Sequence, residues 1–584
     1  MFRLGRLDPW MGFGLDYALG AIFLSLLWMG WGLVGLWFAP FLMAVILLLL
    51  ILSFLGRRRS GDGILGSWPR EIPLRFLMGV AVIYGLFTLL HGLLPETHPD
   101  GLVYHLGTLS YWMFRHGLAD LPSQPFGGFP YGGELYFLSG YVLQGTESAK
   151  CLNIASLGVL GMVAGAWAAE IGGERARWLA LGMVLTLPLA HLVSWTSQVE
   201  VLQSLFLLLF LYALERAGVG RNWAMLAGLL GGMALAIKYT SVFGWAAGIL
   251  ALSMAGRGPR PFRNWEPMGW ILGLAAIVAG SWALKNFVYT GDPFYPYLQD
   301  WIGARHMSAV GYRSMLQDQG LWTHGGRGWE APWYLLMTRP ALFNFAGPLP
   351  LALAPLGLLL AFRKVPSRFL SWVIPFLWVS GLFVTGILKF HLPALVLTLL
   401  FIAACLGPGD GVAEKRWAAW LPALTGILCF PFLAGLSSVY YPGGGVWTCR
   451  ESVPAYLERA VRNPYEGLCG WVGQELPKDA RLLIVGDARG LYYPRSFQTD
   501  TGYDLSFLTS LAERGLDSAG IGKEVRKMGF THVVVNTAQG ITAASMFPTH
   551  PLDARQWKEL DGFVRRGLDV LHEEGYGFIL KVRD

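Results

Sequence analysis

Long apolar runs separated by short polar connections dominate residues 15–437 of the chain. A helix needs about 20 apolar residues to cross a bilayer, so the run over residues 15–55 is too long for one span. Because Pro40 divides this run, it predicts a hairpin of two spans, and residues 74–94 predict a third. Later runs bring the prediction to about thirteen spans, near residues 150–170, 178–194, 199–215, 223–238, 240–256, 267–287, 341–361, 369–388, 392–407 and 417–437.

The basic residues indicate which ends of these spans lie inside. Arg3 and Arg6 precede the hairpin, and Arg57, Arg58 and Arg59 follow it. Both flanks are therefore predicted to be cytoplasmic, because inner loops are enriched in Lys and Arg. The later predicted inner loops are also basic, with Arg175, Arg177, Arg216, Arg221, Arg257, Arg260, Arg263, Arg363, Lys364, Arg368, Lys415 and Arg416. This pattern predicts a cytoplasmic N-terminus and a C-terminal region on the outer face.

The composition is that of a polytopic membrane protein in contact with membrane lipid. Of 584 residues, 54% are hydrophobic and 14% are charged, whereas about a quarter of a soluble chain is charged. The net charge of +7 would suit nucleic acid binding, but the basic residues lie in short inner loops. We therefore expect no nucleic acid partner.

The region after residue 437 has frequent charged residues and only short apolar runs. Residues 481–487, 531–536 and 577–582 have the pattern of buried strands, and residues 521–528 and 554–571 that of amphipathic helices. The fold class predicted is mainly α, a polytopic helical membrane protein with a C-terminal outer α/β domain. Its three parts are a hairpin with a basic loop (1–73), a membrane domain (74–437) with outer loops 95–136 and 289–340, and the α/β domain (438–584).

Two features of this last part leave alternatives open. The turn Gly486-Asp487-Ala488-Arg489-Gly490 lacks the full dinucleotide-binding pattern, so nucleotide binding is disfavoured. Cys449 and Cys469 could pair in an oxidising outer compartment, or both could stay unpaired.

The first outer loop, residues 95–136, holds the strongest candidate for chemistry. Asp100 lies a few residues beyond the third span and precedes an amphipathic stretch, residues 102–114, that could lie along the membrane surface. A carboxylate there can take a proton from an incoming hydroxyl while a lipid-borne leaving group stays in the bilayer. The structural alternative is that Asp100 caps a helix beginning at Gly101, since Asp is favoured at helix N-caps.

Other ionisable residues lie at the outer ends of predicted spans, where charge is costly. Glu200 begins one span, either as a substrate contact or as an acid favoured by the helix dipole. Lys238, Lys285 and Lys389 recur at outer ends, against the usual distribution of positive charge. They suit the phosphate of a lipid-linked donor, or else each extends its ammonium group to the interface without a specific partner.

The histidines of the outer loops also have two interpretations. His98 and His105 flank Asp100 and could assist proton transfer or bind a divalent metal, or they could satisfy hydrogen bonds at a polar boundary. The second outer loop could line a sugar or acceptor site, although Trp at a membrane boundary is more often an interfacial anchor. Its candidates are His306, His324, Trp322, Trp329 and Trp333.

Several short segments resemble the GT-C membrane glycosyltransferases, especially bacterial relatives of the protein O-mannosyltransferases and of the lipid A aminoarabinose transferase. The segment Asp100-Gly101-Leu102-Val103-Tyr104-His105-Leu106 resembles the first outer-loop motif of that family. Segments that look familial follow at residues 130–136, 236–240, 285–286, 290–296 and 389–393. Two departures stand out: Gly101 follows Asp100 where many relatives carry Asp-Glu, and an extra hairpin precedes Leu74.

The resemblance implies a sugar transferase at the outer face of a bacterial cytoplasmic (inner) membrane. The donor would be a polyprenyl-phosphate sugar and the acceptor a protein, lipid or glycan. Asp100 would be the catalytic base of an inverting, single-displacement reaction, with no certain cofactor and a divalent metal as the one cofactor considered. Substrate contacts would come from His105, Glu134, Glu200, Lys238, Lys285, Asp292, Tyr295, Lys389 and His391.

Two other functions remain compatible with these residues. A transporter or flippase of lipid-linked intermediates would move substrate without breaking a glycosidic bond, although no inverted repeat is evident. A non-catalytic scaffold would keep the fold and present the outer domain to partners.

Overall fold

A computed structural model describes residues 7–56, 68–121, 124–255, 265–303, 308, 311–316, 367–384, 387–407, 414–461, 465–500, 503, 506–537 and 552–583. Helices dominate these ranges, as predicted. Up to residue 440 they are Pro9–Leu33 (α1), Ala39–Gly56 (α2), Ile72–Gly92 (α3), Leu106–Phe114 (α4), Gly132–Gln144 (α5), Thr146–Val184 (α6), Pro188–Ser194 (α7), Glu200–Arg216 (α8), Arg221–Ile237 (α9), Ser241–Ala255 (α10), Trp265–Thr290 (α11), Gln299–Ile302 (α12), Arg368–Val384 (α13), Leu392–Leu406 (α14) and Glu414–Tyr440 (α15). A π-helical turn at Gly101–His105 and 3₁₀ turns at Pro125–Gly128 and Leu388–His391 join them.

The chain is an integral membrane protein by the length and apolarity of its helices. Among the described residues, six helices are long and apolar enough to cross a membrane: Pro9–Leu33, Ile72–Gly92, Thr146–Val184, Glu266–Thr290, Leu388–Leu406 and Trp420–Val439. Three shorter apolar helices lie at Ala39–Ser53, Arg221–Ile237 and Ser241–Met254. The predicted total of about thirteen spans is not confirmed, and the predicted span at 341–361 lies outside the described residues.

The predicted spans 150–170 and 178–194 are divided differently in the structure. Helix Thr146–Val184 covers the first predicted span and only the first part of the second, with a kink at Gly173, where φ is 79°. A separate helix then begins at Pro188, because proline fits the first turn of a helix but not its interior. Helix α6 is central to the membrane domain and packs against α1, α3, α5, α8 and α14.

The stretch 102–114, predicted to be amphipathic, is largely buried within the protein. Its π-helical turn continues into α4, and every residue from Leu106 to Trp112 is buried within the protein. The polar positions that made the stretch look amphipathic have internal partners. Thr108, for example, shares a hydrogen bond of 3.0 Å with the hydroxyl of Tyr131.

The C-terminal region contains one five-stranded sheet, with strands Arg481–Val485 (β1), Ser496–Thr499 (β2), His532–Asn536 (β3), Leu568–Glu574 (β4) and Gly577–Val582 (β5). The strand order is β2-β1-β3-β5-β4; β2, β1 and β3 are parallel, whereas β5 pairs antiparallel with both β3 and β4. Its helices are Gly444–Trp447 (α16), Val453–Val461 (α17), Tyr465–Glu475 (α18), Phe507–Glu513 (α19), Ser518–Lys527 (α20) and Ala554–Gly567 (α21).

This sheet confirms the three predicted strands and adds two that were missed, β2 and β4. The helix predicted over 554–571 ends at Gly567, and the chain continues as β4. Cys449 and Cys469 are both free, the first exposed and the second buried, so the structure contains no disulfide between them. The boundaries at residues 73 and 437 remain predictions.

The sheet region contacts the first outer loop directly. Tyr492 donates its hydroxyl to the backbone carbonyl of Glu96 at 2.9 Å, and the amide of Gly490 donates to the carbonyl of Leu102 at 3.2 Å. The side chain of Gln124 donates to the hydroxyl of Thr499 at 2.8 Å. The C-terminal region therefore packs on the loop that carries Asp100 and is joined to it by hydrogen bonds.

Candidate active site

Asp100 binds side chains from two distant segments and does not cap a helix. Its backbone is helical, with φ −59° and ψ −39°, and its carboxylate makes no capping hydrogen bond. One carboxylate oxygen, Oδ2, lies 2.9 Å from Nζ of Lys389 and 3.3 Å from Nε2 of Gln198. The side chain is 29% exposed, whereas that of Lys389 is 6% exposed. The capping interpretation is therefore wrong, and Asp100 forms a partly open ion pair.

The segment between α7 and α8 is fixed by one residue of α6. The amide of Asn153 donates to the carbonyls of Val193, Thr196 and Gln198 at 3.1, 2.9 and 2.7 Å. These bonds satisfy carbonyls that the break between the two helices leaves without helical partners. They also place the side chain of Gln198 beside Asp100.

Glu200 and Lys238 form a second ion pair. Their Oε1 and Nζ atoms are 2.5 Å apart, and the Glu200 side chain is 1% exposed. Lys238 follows the last residue of α9 in an extended conformation, and its ammonium lies 3.8 Å from the centre of the Phe390 ring. Since Phe390 follows Lys389, the two pairs adjoin. Both lysines thus have specific carboxylate partners and do not simply extend to the interface.

His105 and Glu134 form a third polar pair in the same region. Nδ1 of His105, at the end of the π-helical turn, lies 2.6 Å from Oε1 of Glu134 in the first turn of α5. Both side chains are buried, and Oε2 of Glu134 has no hydrogen-bond partner among the residues that the structure describes. Oε2 of Glu200 is likewise buried without one. These two oxygens are unused acceptors, which is uncommon for buried carboxylates.

The electrostatic surroundings keep Asp100 ionised. Burial alone would raise the pKa of Asp100, but the ammonium of Lys389, with smaller effects from His98 and His105, holds it well below its usual range. Burial lowers the pKa of His98 to about 4, so its ring is neutral at pH 7. Nδ1 of that ring accepts the backbone N–H of Asp100 at 3.1 Å.

Tyr104 adds a hydroxyl that sequence reasoning did not single out. Burial raises the pKa of Tyr104 well above its usual value, and the carboxylates of Asp100 and Glu200 raise it further. The hydroxyl therefore stays protonated and interacts with Asp100 as a donor. Its ring stacks on Phe126, with centroids 4.4 Å apart.

Gln198 was missed as well, although the sequence held a signal for it. Residues 194–198 are polar apart from Trp195, lie between two apolar helices and are all buried. Buried polar groups need partners, so an uncharged polar run at this depth indicates a specific packing role.

Three predicted substrate contacts lie away from Asp100. Nζ of Lys285 donates to the backbone carbonyl of Gly127 and to the side-chain oxygen of Asn286. Asp292 is fully buried and accepts the N–H groups of Phe294 and Leu298, so it stabilises a turn. The buried ring of Tyr295 packs close to the backbone of Gly128.

His391 lies beside the site and not within the ion pairs. Its ring stacks on Trp378 with centroids 5.7 Å apart. With Gln203, Thr240 and Phe390 it lines a small cavity of about 40 Å³. Phe390 therefore separates this cavity from the ammonium of Lys238. His306, His324 and the three tryptophans of the second outer loop lie outside the described residues.

The described side chains do not form a metal site. In the part of the chain that the structure describes, no group of three or more His, Cys, Asp or Glu side chains is placed to hold a metal ion.

The polar side chains of the turn after β1 stabilise the fold of the C-terminal region. Asp487 pairs with Arg489 at 2.6 Å and accepts a hydrogen bond from Asn536 at 3.0 Å, so its carboxylate is occupied.

Similar folds occur among solved membrane glycosyltransferases. ArnT from Cupriavidus metallidurans, bound to undecaprenyl phosphate, is 16% identical with a TM-score of 0.53, and the match covers 87% of this chain and 97% of ArnT. Its apo form is 15% identical with a TM-score of 0.50 over the same shares. The oligosaccharyltransferase AglB from Archaeoglobus fulgidus, in complex with an inhibitory peptide and a dolichol-phosphate, is 13% identical, covering 81% and 71%, with a TM-score of 0.44.

The likeness to ArnT shows the fold of this chain. That fold agrees with the one predicted by the resemblance of its short motifs to the GT-C family. Among solved structures the likeness to ArnT spans nearly the whole of both chains. No protein-family model matches the sequence, and no curated protein matches it significantly.

Proposed function

We propose that the chain transfers a sugar from a polyprenyl-phosphate donor to an acceptor at the outer face of a bacterial cytoplasmic membrane. The observation that carries the proposal is the pairing of Asp100 with Lys389. A partly exposed carboxylate beside a buried ammonium supplies both a base and a cation for a departing phosphate. The fold supports the same class, and ArnT of that fold was solved bound to undecaprenyl phosphate.

The reaction would be a single displacement with inversion. The acceptor oxygen attacks the anomeric carbon while Asp100 removes its proton. The bond between that carbon and the phosphate oxygen breaks, and polyprenyl phosphate leaves with the bonding electrons. No second carboxylate is needed as a covalent nucleophile, because the acceptor itself forms the new bond.

Lys389 would change partners during this step. In the resting protein its ammonium keeps the pKa of Asp100 low, which makes the carboxylate available but weakly basic. Negative charge that develops on the leaving phosphate would attract the ammonium away from Asp100. Burial would then raise the pKa of Asp100 at the moment when it must accept a proton. Lys238, which is 23% exposed, would add a second positive charge.

The remaining polar groups would bind substrate. The unused oxygens of Glu134 and Glu200 would accept hydrogen bonds from sugar hydroxyls, with His105 orienting Glu134. The C-terminal region would aid acceptor recognition. With Pro95 and Thr146 of the membrane domain, it forms the wall of a cavity of about 510 Å³ next to the Asp100 loop.

The test uses the purified full chain in lipid vesicles with undecaprenyl-phosphate-linked labelled hexoses and pentoses and with protein, lipid and glycan acceptors. We expect release of undecaprenyl phosphate with at least one donor. Asp100→Asn keeps the side-chain volume but cannot act as a base, so it should lose at least about 100-fold in turnover. Full activity of Asp100→Asn would contradict the role of Asp100.

The alternatives predict other outcomes of the same assay. A transporter or flippase would move undecaprenyl-phosphate sugar between leaflets without releasing undecaprenyl phosphate. A scaffold would give neither release nor movement with any donor.

A further inference from the structure

The carboxylate of Glu96 joins the two backbone segments that surround Asp100. Its side chain is buried, with 1% of the residue exposed. Oε1 accepts the backbone N–H groups of Thr97 and His98 at 3.0 and 2.8 Å, within its own loop. Oε2 accepts the N–H of Ser197 at 2.7 Å, 101 residues further along the chain. Hydrogen bonds to an ionised acceptor are among the strong ones in proteins.

Each bonded segment delivers a group that contacts Asp100. His98 lies in the first outer loop, and Nδ1 of its ring accepts the backbone N–H of Asp100. Ser197 precedes Gln198, whose side chain donates to the Asp100 carboxylate at 3.3 Å. One carboxylate therefore fixes both contacts at once.

Gly101 leaves free the space that the side chain of Glu96 occupies. A Cβ atom at position 101 would lie 2.6 Å from two side-chain carbons of Glu96 and 2.7 Å from Oγ of Ser197. The carboxylate of Glu96 thus fills the space that a side chain at 101 would need. The departure of this chain from the Asp-Glu pattern has a physical reason in this contact.

We propose that Glu96 is a positioning residue for Asp100 and that Gly101 is required to leave room for it. Glu96 holds the segments around residues 98 and 198 at a fixed separation. His98 and Gln198 therefore stay in contact with Asp100, and its carboxylate faces the site. This inference rests on the proposed function, in which Asp100 is the base.

Glu96→Gln tests the link with little change in shape. A glutamine has one acceptor oxygen, so it can hold the N–H groups of Thr97 and His98 but presents an amide donor to the N–H of Ser197. We expect kcat to fall about 10-fold or more because the catalytic geometry shifts, while KM for the donor stays the same. The acid limb of the pH–rate profile should move, since the contacts that Asp100 makes with Gln198, His98 and Lys389 change.

A second measurement tests, without any need for turnover, whether Glu96 joins the two segments. Hydrogen exchange of the peptide holding residues 196–198 should be about 10-fold or more faster in Glu96→Gln than in the unaltered chain. Glu170→Gln is the matched control, because the carboxylate of Glu170 accepts hydrogen bonds from Tyr212 and Arg216 and not from the Asp100 loop or the residue 197 segment. It should alter neither the exchange nor the acid limb.

The outcomes separate this inference from the proposed function. If Asp100→Asn abolishes turnover while Glu96→Gln keeps full kcat and normal exchange, the positioning role is wrong and the proposed function stands. If no donor turns over, the proposed function fails, and unchanged exchange in Glu96→Gln would overturn the link as well.

The role of Gly101 is tested by a double-mutant cycle. Gly101→Ala should lower kcat strongly in the unaltered chain and less in a Glu96→Ala background, because the second change removes two of the three atoms that the new Cβ would meet and leaves only Oγ of Ser197. Equal losses in both backgrounds would contradict the steric link. Thermal unfolding of each variant separates loss of fold from loss of position.

Discussion

The ion pair of Asp100 and Lys389 joins residues 289 positions apart in the chain. The ammonium of Lys389 is almost fully buried, so its charge requires a partner, whereas Asp100 keeps about a third of its surface open. An ion pair with one exposed and one buried partner suits an exchange of partners during the reaction. Substrate can reach the exposed Asp100, while the buried Lys389 stays near the phosphate. The residue whose removal is most informative is therefore Lys389.

Lys389→Gln should move the acid limb of the pH–rate profile upward. With the ammonium gone, burial dominates and raises the pKa of Asp100, so the carboxylate is protonated at pH values where it is now ionised. A protonated carboxyl cannot take the proton of the acceptor hydroxyl. As the pH is lowered, the rate of the variant should therefore begin to fall at a pH about one to three units higher than in the unaltered chain. The measurement is kcat/KM for the donor against pH.

Two matched variants control this result. Lys389→Arg keeps the charge and should return the limb toward its original position. Lys285→Gln removes another buried lysine, but Lys285 contacts Gly127 and Asn286, so the limb should stay in place. An unmoved limb in Lys389→Gln would mean that this ammonium does not control Asp100.

The charged residues of the site could be predicted from the sequence, but their pairing could not. Asp100, Glu200 and Lys389 stand out because charge at a span end is costly without a use. Gln198 and Tyr104 carry no such cost, and nothing in their neighbours indicates that the segments at 98–100 and 196–198 meet. The structural role of Asp292 could not be predicted either, since the sequence does not show that a turn buries this carboxylate through backbone N–H groups.

At the scale of elements, two glycines set the distance between α9 and α11. A Cβ at Gly228 would lie 2.7 Å from the carbonyl oxygen of Ile271, and one at Gly232 would lie 2.7 Å from the Cα of Ala275. The glycines are four positions apart and so lie on one face of α9, which lets two backbones approach closely. Lys238 follows directly after α9, so this packing also positions the second ion pair.

Gly232→Leu should therefore separate the two helices. Overpacking a close contact costs about 1–3 kcal/mol, and here the obstructing atoms are backbone and cannot rotate away. We expect a lower temperature of thermal unfolding and a raised KM for the donor, because Lys238 moves with the end of α9.

Gly273→Leu provides the comparison within the same helix pair. A Cβ at Gly273 of α11 would have no heavy atom within 4 Å, so the larger side chain meets open space. It should leave both the unfolding temperature and KM near those of the unaltered chain. Similar losses in both variants would show that leucine in a helix, and not close packing, is responsible.

The sequence patterns predicted the type of most elements more accurately than the residues at which those elements end. The strands at β1, β3 and β5 are continuous apolar runs, and such runs are reliable signals. β4 was missed because it is an edge strand whose residues are mostly exposed and continue directly from α21. The kink in α6 depends on the positive φ of Gly173, which an apolar run does not reveal.

At the scale of the whole molecule, the C-terminal region and the first outer loop form one structural unit. Tyr492, Gly490 and Gln124 provide hydrogen bonds across the contact, and two of these bonds end on the backbone that flanks Asp100. This contact requires both parts to be on the same side of the membrane. The side that carries the C-terminal region is therefore the side on which the proposed chemistry takes place.

The orientation can be tested with the native cysteines. Cys449 is free and exposed, and it follows Trp447, whose indole N–H donates to the carbonyl of Leu90 near the end of α3. Exposed thiols react readily, whereas Cys429 and Cys469 are buried. A membrane-impermeant maleimide should therefore label the chain in intact spheroplasts, and Cys449→Ser should remove most of that label.

A cysteine on the opposite side gives the matched control. Val219 is 77% exposed between α8 and α9, in a predicted inner loop flanked by Arg216 and Arg221. Val219→Cys in a Cys449→Ser background should be labelled only after the membrane is permeabilised. The reverse pattern, with position 219 labelled in intact spheroplasts and Cys449 protected, would place Asp100 on the cytoplasmic face. Transfer at the outer face would then be excluded, whatever the activity of the purified chain.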